Sequence, residues 1–218
     1  MRQWILNAAT VVATIAAVAI SGVRLREEFA ARRAAKPFEP RVVANWRDYA
    51  KDGHYLGRKG APVTIIEFAD YQCPFCQKAA PAIRAIRQRY PNDVAVVFRQ
   101  FPLGNHQFAE AAAQAAECAG LQGRFETFHD TLFAQPDSLG TKAWTRFASD
   151  AGVTNLDDFA RCFGGMGERA ALVRDKAAGS ELGVGATPTF IVNGYMFAGF
   201  PGLDSLNGYV ASALAKAK

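Results

Sequence analysis

The chain has 218 residues, 50% of them hydrophobic and 21% charged, with a formal net charge of +5. That is one domain's worth of chain, long enough to bury a real core. The positive charge is dispersed rather than gathered on a basic face interleaved with aromatics, so nucleic acid is excluded as an expected partner.

Residues 4–23 are almost wholly apolar, and the charged stretch beginning at Arg24 ends the run. The length suits a helix across a bilayer core. The shorter run 11–20, behind Arg2, suits the apolar region of an export signal. Residues 1–23 are read as a signal peptide or membrane anchor, with an uncleaved hydrophobic helix preferred. Arg24, Arg26, Arg32, Arg33 and Lys36 follow it against only Glu27 and Glu28. By charge alone, this would leave the rest of the chain inside the cell. The redox chemistry below argues for a periplasmic or extracytoplasmic side and takes precedence.

Residues 24–56 read as a tether. Pro37 and Pro40 interrupt any helix continuing from the apolar segment, and the chain through Trp46 and Tyr55 has the Gly and charge content of edge cover. From residue 57 to 104 the pattern becomes βαβ. The run 63–69 is nearly continuous in β-branched and apolar residues, as a strand covered on both faces requires. A helix is predicted over 74–90 and a second strand over 94–98, giving a parallel pair with a right-handed crossover.

Strand signals vanish over 105–180. Amphipathic segments at 107–119, 123–133, 141–148, 156–163 and 167–182 predict a helical insertion, with Trp144 and Phe147 in its core. In 181–218 the runs 189–192 and 195–198 flank Asn193-Gly194, a pair that accepts positive φ and marks a hairpin. A last helix is predicted over 203–214. The fold class is α/β.

Cys73-Pro74-Phe75-Cys76 falls where a strand ends and a helix begins. There the free N–H groups and the helix dipole favour a Cys73 thiolate, and Pro74 costs no hydrogen bond. Cys76, one turn in, faces the protein body and is placed to attack a mixed disulfide on Cys73. Half of a zinc site also uses two cysteines two apart, but a second close pair is missing. No metal or cofactor is expected. Pro81 should kink the helix.

Glu67 interrupts an apolar strand. Buried, its pKa would rise, and it could exchange a proton with Cys76; the alternative is a solvated carboxylate at an edge. Thr187-Pro188 precedes a strand, where a proline is tolerated. Tyr71 and Phe75 flank the cysteines and are read as an apolar rim for unfolded clients. His54, His106 and His129 are assigned no role beyond surface or packing.

The runs 67–76 and 183–194, with the helical block between them, resemble the DsbA-like thiol oxidoreductases of bacterial envelopes, in the thioredoxin superfamily. The similarity covers about residues 55–215. It implies a thioredoxin-like fold with an inserted helical domain. Cys73 would be the nucleophile, Cys76 the resolving thiol and Glu67 the buried acid. Pro188 would be a cis-proline beside the site, and Thr187 would touch substrate. The family pattern carries histidine where this chain has Phe75, which implies a less extreme potential.

The implied work is donating disulfides to reduced or misoxidised exported proteins, with a membrane redox partner restoring the enzyme. An envelope reductase or isomerase is the alternative, and a non-catalytic tethered binding module is the alternative of another class. Isomerases of the superfamily usually carry a dimerisation domain. Residues 24–55 are too short for one. A monomer is expected. In an oxidising compartment Cys118 and Cys162 would form a structural disulfide; two separate buried thiols and a redox relay remain the other readings.

Overall fold

The computed structural model describes residues 40–165 and 169–217. The expected anchor or signal and the start of the expected tether lie outside the described residues. Among those described, no helix is long and apolar enough to cross a membrane.

The strands are β1 (Arg41–Val42), β2 (His54–Leu56), β3 (Val63–Ala69), β4 (Val94–Gln100), β5 (Thr189–Val192) and β6 (Tyr195–Ala198). They form one six-stranded sheet in the order β1-β6-β5-β3-β4-β2. The helices are α1 (Trp46–Ala50), α2 (Pro74–Arg89), α3 (Ala109–Gly120), α4 (Phe125–Ala134), α5 (Trp144–Asp150), α6 (Leu156–Gly164), α7 (Ala170–Glu181) and α8 (Leu203–Lys216). β3 and β4 are parallel and joined through α2, while β5 runs antiparallel to β3.

Every residue of β3 and β4 is buried, which is why both strands read as unbroken runs. The period-two alternation of a strand divides them between two cores. Val63, Ile65 and Ala69 join Ala79 and Ile83 of α2, Leu206 and Val210 of α8, and the helical insertion. Ile66 and Phe68 point the other way, into a core with Trp46, Tyr49 and Ala50 of α1. Arg99 shares that second face, and its Nε meets Asp175 Oδ1 of α7 at 2.6 Å, a buried ion pair completed by the Gln100 N–H donating to Asp175 Oδ2 at 2.7 Å.

Residues 40–56 are a correction to the sequence reading. They supply two edge strands and a helix, and Val43, Trp46, Tyr49 and Ala50 are buried in the second core. Trp46 packs on the hairpin turn, where Asn193 and Gly194 have φ of 43° and 97°. A Cβ at position 194 would come within 2.8 Å of the Trp46 ring, so glycine answers both the turn and the contact.

Helices α3 to α7 lie between β4 and β5 in sequence. Cys118 of α3 and Cys162 of α6 are joined by a disulfide across 44 residues. An aromatic cluster ties the insertion to the sheet: the Phe98 ring of β4 lies 4.5 Å from His129, 5.4 Å from Tyr71, 6.0 Å from Phe125 and 6.2 Å from Phe133. Because Phe98 is fully buried at this junction, Phe98→Ala is expected to cost about 3–5 kcal/mol. The check is urea denaturation: the midpoint should fall while the slope stays unchanged.

Candidate active site

Cys73 caps α2. Its own backbone is extended, with φ −68° and ψ 121°, and Pro74 opens the helix behind it. The geometry aims the first N–H groups of the helix back at the cysteine. Both active-site cysteines are free thiols in this structure. The Cys73 pKa is lowered to about 5, first by a hydrogen bond from the Cys76 thiol and further by Thr187 and the N–H groups of Cys76 and Phe75. Burial opposes these but does not outweigh them. When protonated, Cys73 Sγ donates to the Thr187 carbonyl at 3.3 Å.

Cys76 has the opposite surroundings. It is fully buried, and its pKa is pushed well above the ordinary thiol range by burial, then by its hydrogen bond to Cys73. Glu67 lies in β3 in phase with Ile65 and Ala69, on the face covered by α2. It is 2% exposed, so the edge-facing alternative is excluded. Burial raises its pKa to about 8, with the Arg87 charge pulling weakly the other way. It is also electrostatically coupled to Cys76. At neutral pH the site therefore pairs a thiolate at 73 with a buried, proton-carrying carboxyl at 67 that is felt by the Cys76 thiol.

The Thr187–Pro188 bond is cis, and both residues are buried beside Cys73. Phe75 is 59% exposed, with Lys78 Nζ 5.7 Å from its ring, and is available to an approaching chain. Tyr71 is not: at 1% exposure it lies under the site, its ring 4.9 Å from Phe133 and its hydroxyl 3.3 Å from His129 Nδ1. The placement of Tyr71 on a substrate rim is thus corrected. The reason is that the aromatic cluster of the insertion covers that side of the loop.

His129 is buried and its pKa is lowered to about 3 by burial and then by Arg87 and Arg84, so it serves as a neutral packing group. His54 stacks on Phe125 and hydrogen-bonds Glu117. Asp70, given no role in the sequence reading, and His106, read there as surface or packing, meet at 2.7 Å beside the active-site loop. An aspartate ending an apolar strand is a turn signal that would have pointed to Asp70.

A family profile described as "Thioredoxin" matches residues 49–211. The chain belongs to the thioredoxin family. A solved thioredoxin-like oxidoreductase from Silicibacter pomeroyi is 28% identical, with a TM-score of 0.63 over 75% of this chain and 92% of that one. Alpha-DsbA1 from Wolbachia pipientis has a TM-score of 0.66 at 23% identity, covering 77% of this chain and 93% of that one. Among curated relatives, the Na(+)/H(+) antiporter NhaA 3 of Salinispora tropica is 37% identical over 166 residues, 76% of this chain and 25% of the antiporter. The chain thus spans about a quarter of the length of the curated relatives it matches. The fold is DsbA-like, and a free dithiol, Cys73 and Cys76, stands at the start of α2.

Two outcomes follow from the paired pKa shifts of this thioredoxin-family site. Alkylation of the reduced protein should titrate with a midpoint near pH 5, the Cys73 value, and be lost in Cys73→Ser. Stability should carry opposed slopes. Cys73, lowered from 9.0 to about 5, adds stability as pH rises from 5 to 9; Glu67, raised from 4.5 to about 8, removes it as pH rises from 4.5 to 8. In the reduced Glu67→Gln protein the second contribution is gone, so stability should climb more steeply between pH 5 and 8 than in the parent, as read by denaturant midpoints across pH.

Proposed function

We propose that the protein donates disulfides to exported proteins in the periplasmic or extracytoplasmic space. The observation that carries the reading is the asymmetry of the dithiol: a stabilised thiolate at Cys73 against a buried, proton-retaining thiol at Cys76. A thiol of low pKa is a good leaving group, and stabilising the reduced form makes the disulfide oxidising.

In the oxidised enzyme a client thiolate attacks Cys73 Sγ, the Cys73–Cys76 bond breaks, and Cys76 leaves with the bonding pair. Glu67, protonated below about pH 8, supplies the proton that the buried Cys76 sulfur needs. A second client thiolate then attacks the client sulfur of the mixed disulfide and expels Cys73 as its stabilised thiolate. The client has lost two electrons and the enzyme holds them. Phe75, exposed beside the reacting sulfur, offers apolar contact to an unfolded chain, and Thr187 and Pro188 lie where its backbone would pass. Restoring the disulfide requires a two-electron acceptor, assigned here to a membrane redox partner.

The location rests on the chain's own features. The Cys118–Cys162 disulfide belongs to an oxidising compartment. The apolar run 4–23 fits a hydrophobic helix that anchors the domain at a membrane or exports it. The occurrence of a matching stretch within membrane antiporters supports a place beside a bilayer. The protein is read as a monomer.

The deciding measurement is the reduction potential of Cys73–Cys76, by equilibration with glutathione buffers in a Cys118→Ala/Cys162→Ala background. A value near about −120 mV is expected for a donor. A value near about −270 mV would overturn donation in favour of a reductase.

A further inference from the structure

Asp70 directly follows β3, the strand that delivers the active-site loop, and its carboxylate is completely buried. Its backbone serves both cysteines: the carbonyl accepts the Cys73 N–H at 3.1 Å, and its own N–H donates to Cys76. Its side chain serves a different purpose. Oδ1 accepts the Gln72 N–H at 2.7 Å, closing the turn that leads into Cys73. Oδ2 accepts the Leu103 N–H at 2.9 Å and lies 2.7 Å from His106 Nδ1. Gln72 adds a parallel tie, its Oε1 accepting the Phe108 N–H at 2.7 Å.

Leu103, His106 and Phe108 belong to the segment between β4 and α3, which opens the helical insertion. A carboxylate removed from water must be matched by donors or it becomes protonated or is expelled. Here the match is divided between two loops at the carboxyl ends of adjacent parallel strands. The position of one loop is therefore imposed on the other. His106, with 18% of its side chain exposed, closes the arrangement from the solvent side.

We propose that Asp70 and His106 are positioning residues for thiol–disulfide exchange: His106 holds the Asp70 carboxylate, and that carboxylate holds the turn whose backbone aligns Cys73 with Cys76. Neither touches the substrate. The proposal rests on Cys73 being the nucleophile, and it goes further by assigning the alignment of the two sulfurs to the loop that opens the insertion. Loosening the turn should lengthen the hydrogen bonds that converge on Cys73, and removing the histidine also removes a donor from a carboxylate in the turn before the pair. Both effects disfavour the thiolate, so they act in one direction.

The test is an ultraviolet titration of the Cys73 thiolate in the full-length reduced protein, whose other cysteines are a disulfide and the proton-retaining Cys76. His106→Ala is expected to raise the Cys73 pKa by about one unit, a roughly tenfold loss of thiolate at a pH below both values. It should slow alkylation to match. His106→Asn, which keeps a donor near the Nδ1 position, should return the titration close to the parent. In an Asp70→Asn background His106→Ala should add no further shift, because the histidine acts through the carboxylate. An unchanged Cys73 titration in His106→Ala, even with a lower melting temperature, would reduce the pair to a structural contact and overturn the proposal. So would an equal shift in both backgrounds. If Asp70→Asn fails to fold, the difference between His106→Ala and His106→Asn decides: rescue supports the proposal and its absence overturns it. Cys73→Ser separates this from the functional reading. A thiolate signal surviving that substitution would refute Cys73 as the nucleophile.

Discussion

A sulfur anion survives at position 73 because donors converge on it from the helix start and from the Cys76 thiol, and the rest of the fold serves to hold them there. The N–H groups of Phe75 and Cys76 are unpaired by the helix itself, so they are free to face the capping cysteine. They do so only if the chain enters α2 from an extended Cys73, as it does. Phe75 supplies neither charge nor side-chain donor. The Cys73 pKa nevertheless falls to about 5, because the largest contribution comes from Cys76 rather than from the residue at 75.

The sheet explains why these groups meet. β3 and β4 run parallel, so the loops that follow them leave the same edge, and the antiparallel β5 begins at that edge with Pro188 just ahead of it. Three segments remote in sequence, at residues 70–76, 101–108 and 187–188, are brought together by strand direction alone. Glu67 enters by the same logic. Its place in the alternation with Ile65 and Ala69 sends it under α2, where burial holds its proton.

The long, uniform elements were legible from the sequence. Strands β3 and β4, the Asn-Gly hairpin and the helices of the insertion match their expected spans within a few residues, since each carries its own periodicity or turn chemistry. The segment 40–56 was not, because a two-residue strand, a five-residue helix and a three-residue strand are too short to repeat a pattern. Within the site, the two cysteines and the buried acid announced themselves through local context. Tyr71 did not, because its burial depends on Phe98, Phe133 and His129, which only the fold places over it. The Asp70–His106 contact spans 36 residues and depends on two loops leaving the sheet together, information that no single stretch contains.

The opposed environments of the two cysteines also decide which redox state the folded protein prefers. Reduction lets Cys73 ionise into a site built for its anion, and the free energy gained is available only in the native dithiol. The disulfide has no ionised sulfur to stabilise. Linkage requires that whatever the fold contributes to the dithiol over the disulfide appears as oxidising power, because the same cycle connects folding and electron transfer. Burial of Cys76 does not reverse this. Its sulfur is carried either as a neutral thiol or within a disulfide, and neither form places a charge in the core. On the proposed donor reading, the arrangement biases the protein toward giving its disulfide away, with Glu67 carrying the proton and the helix start keeping the anion.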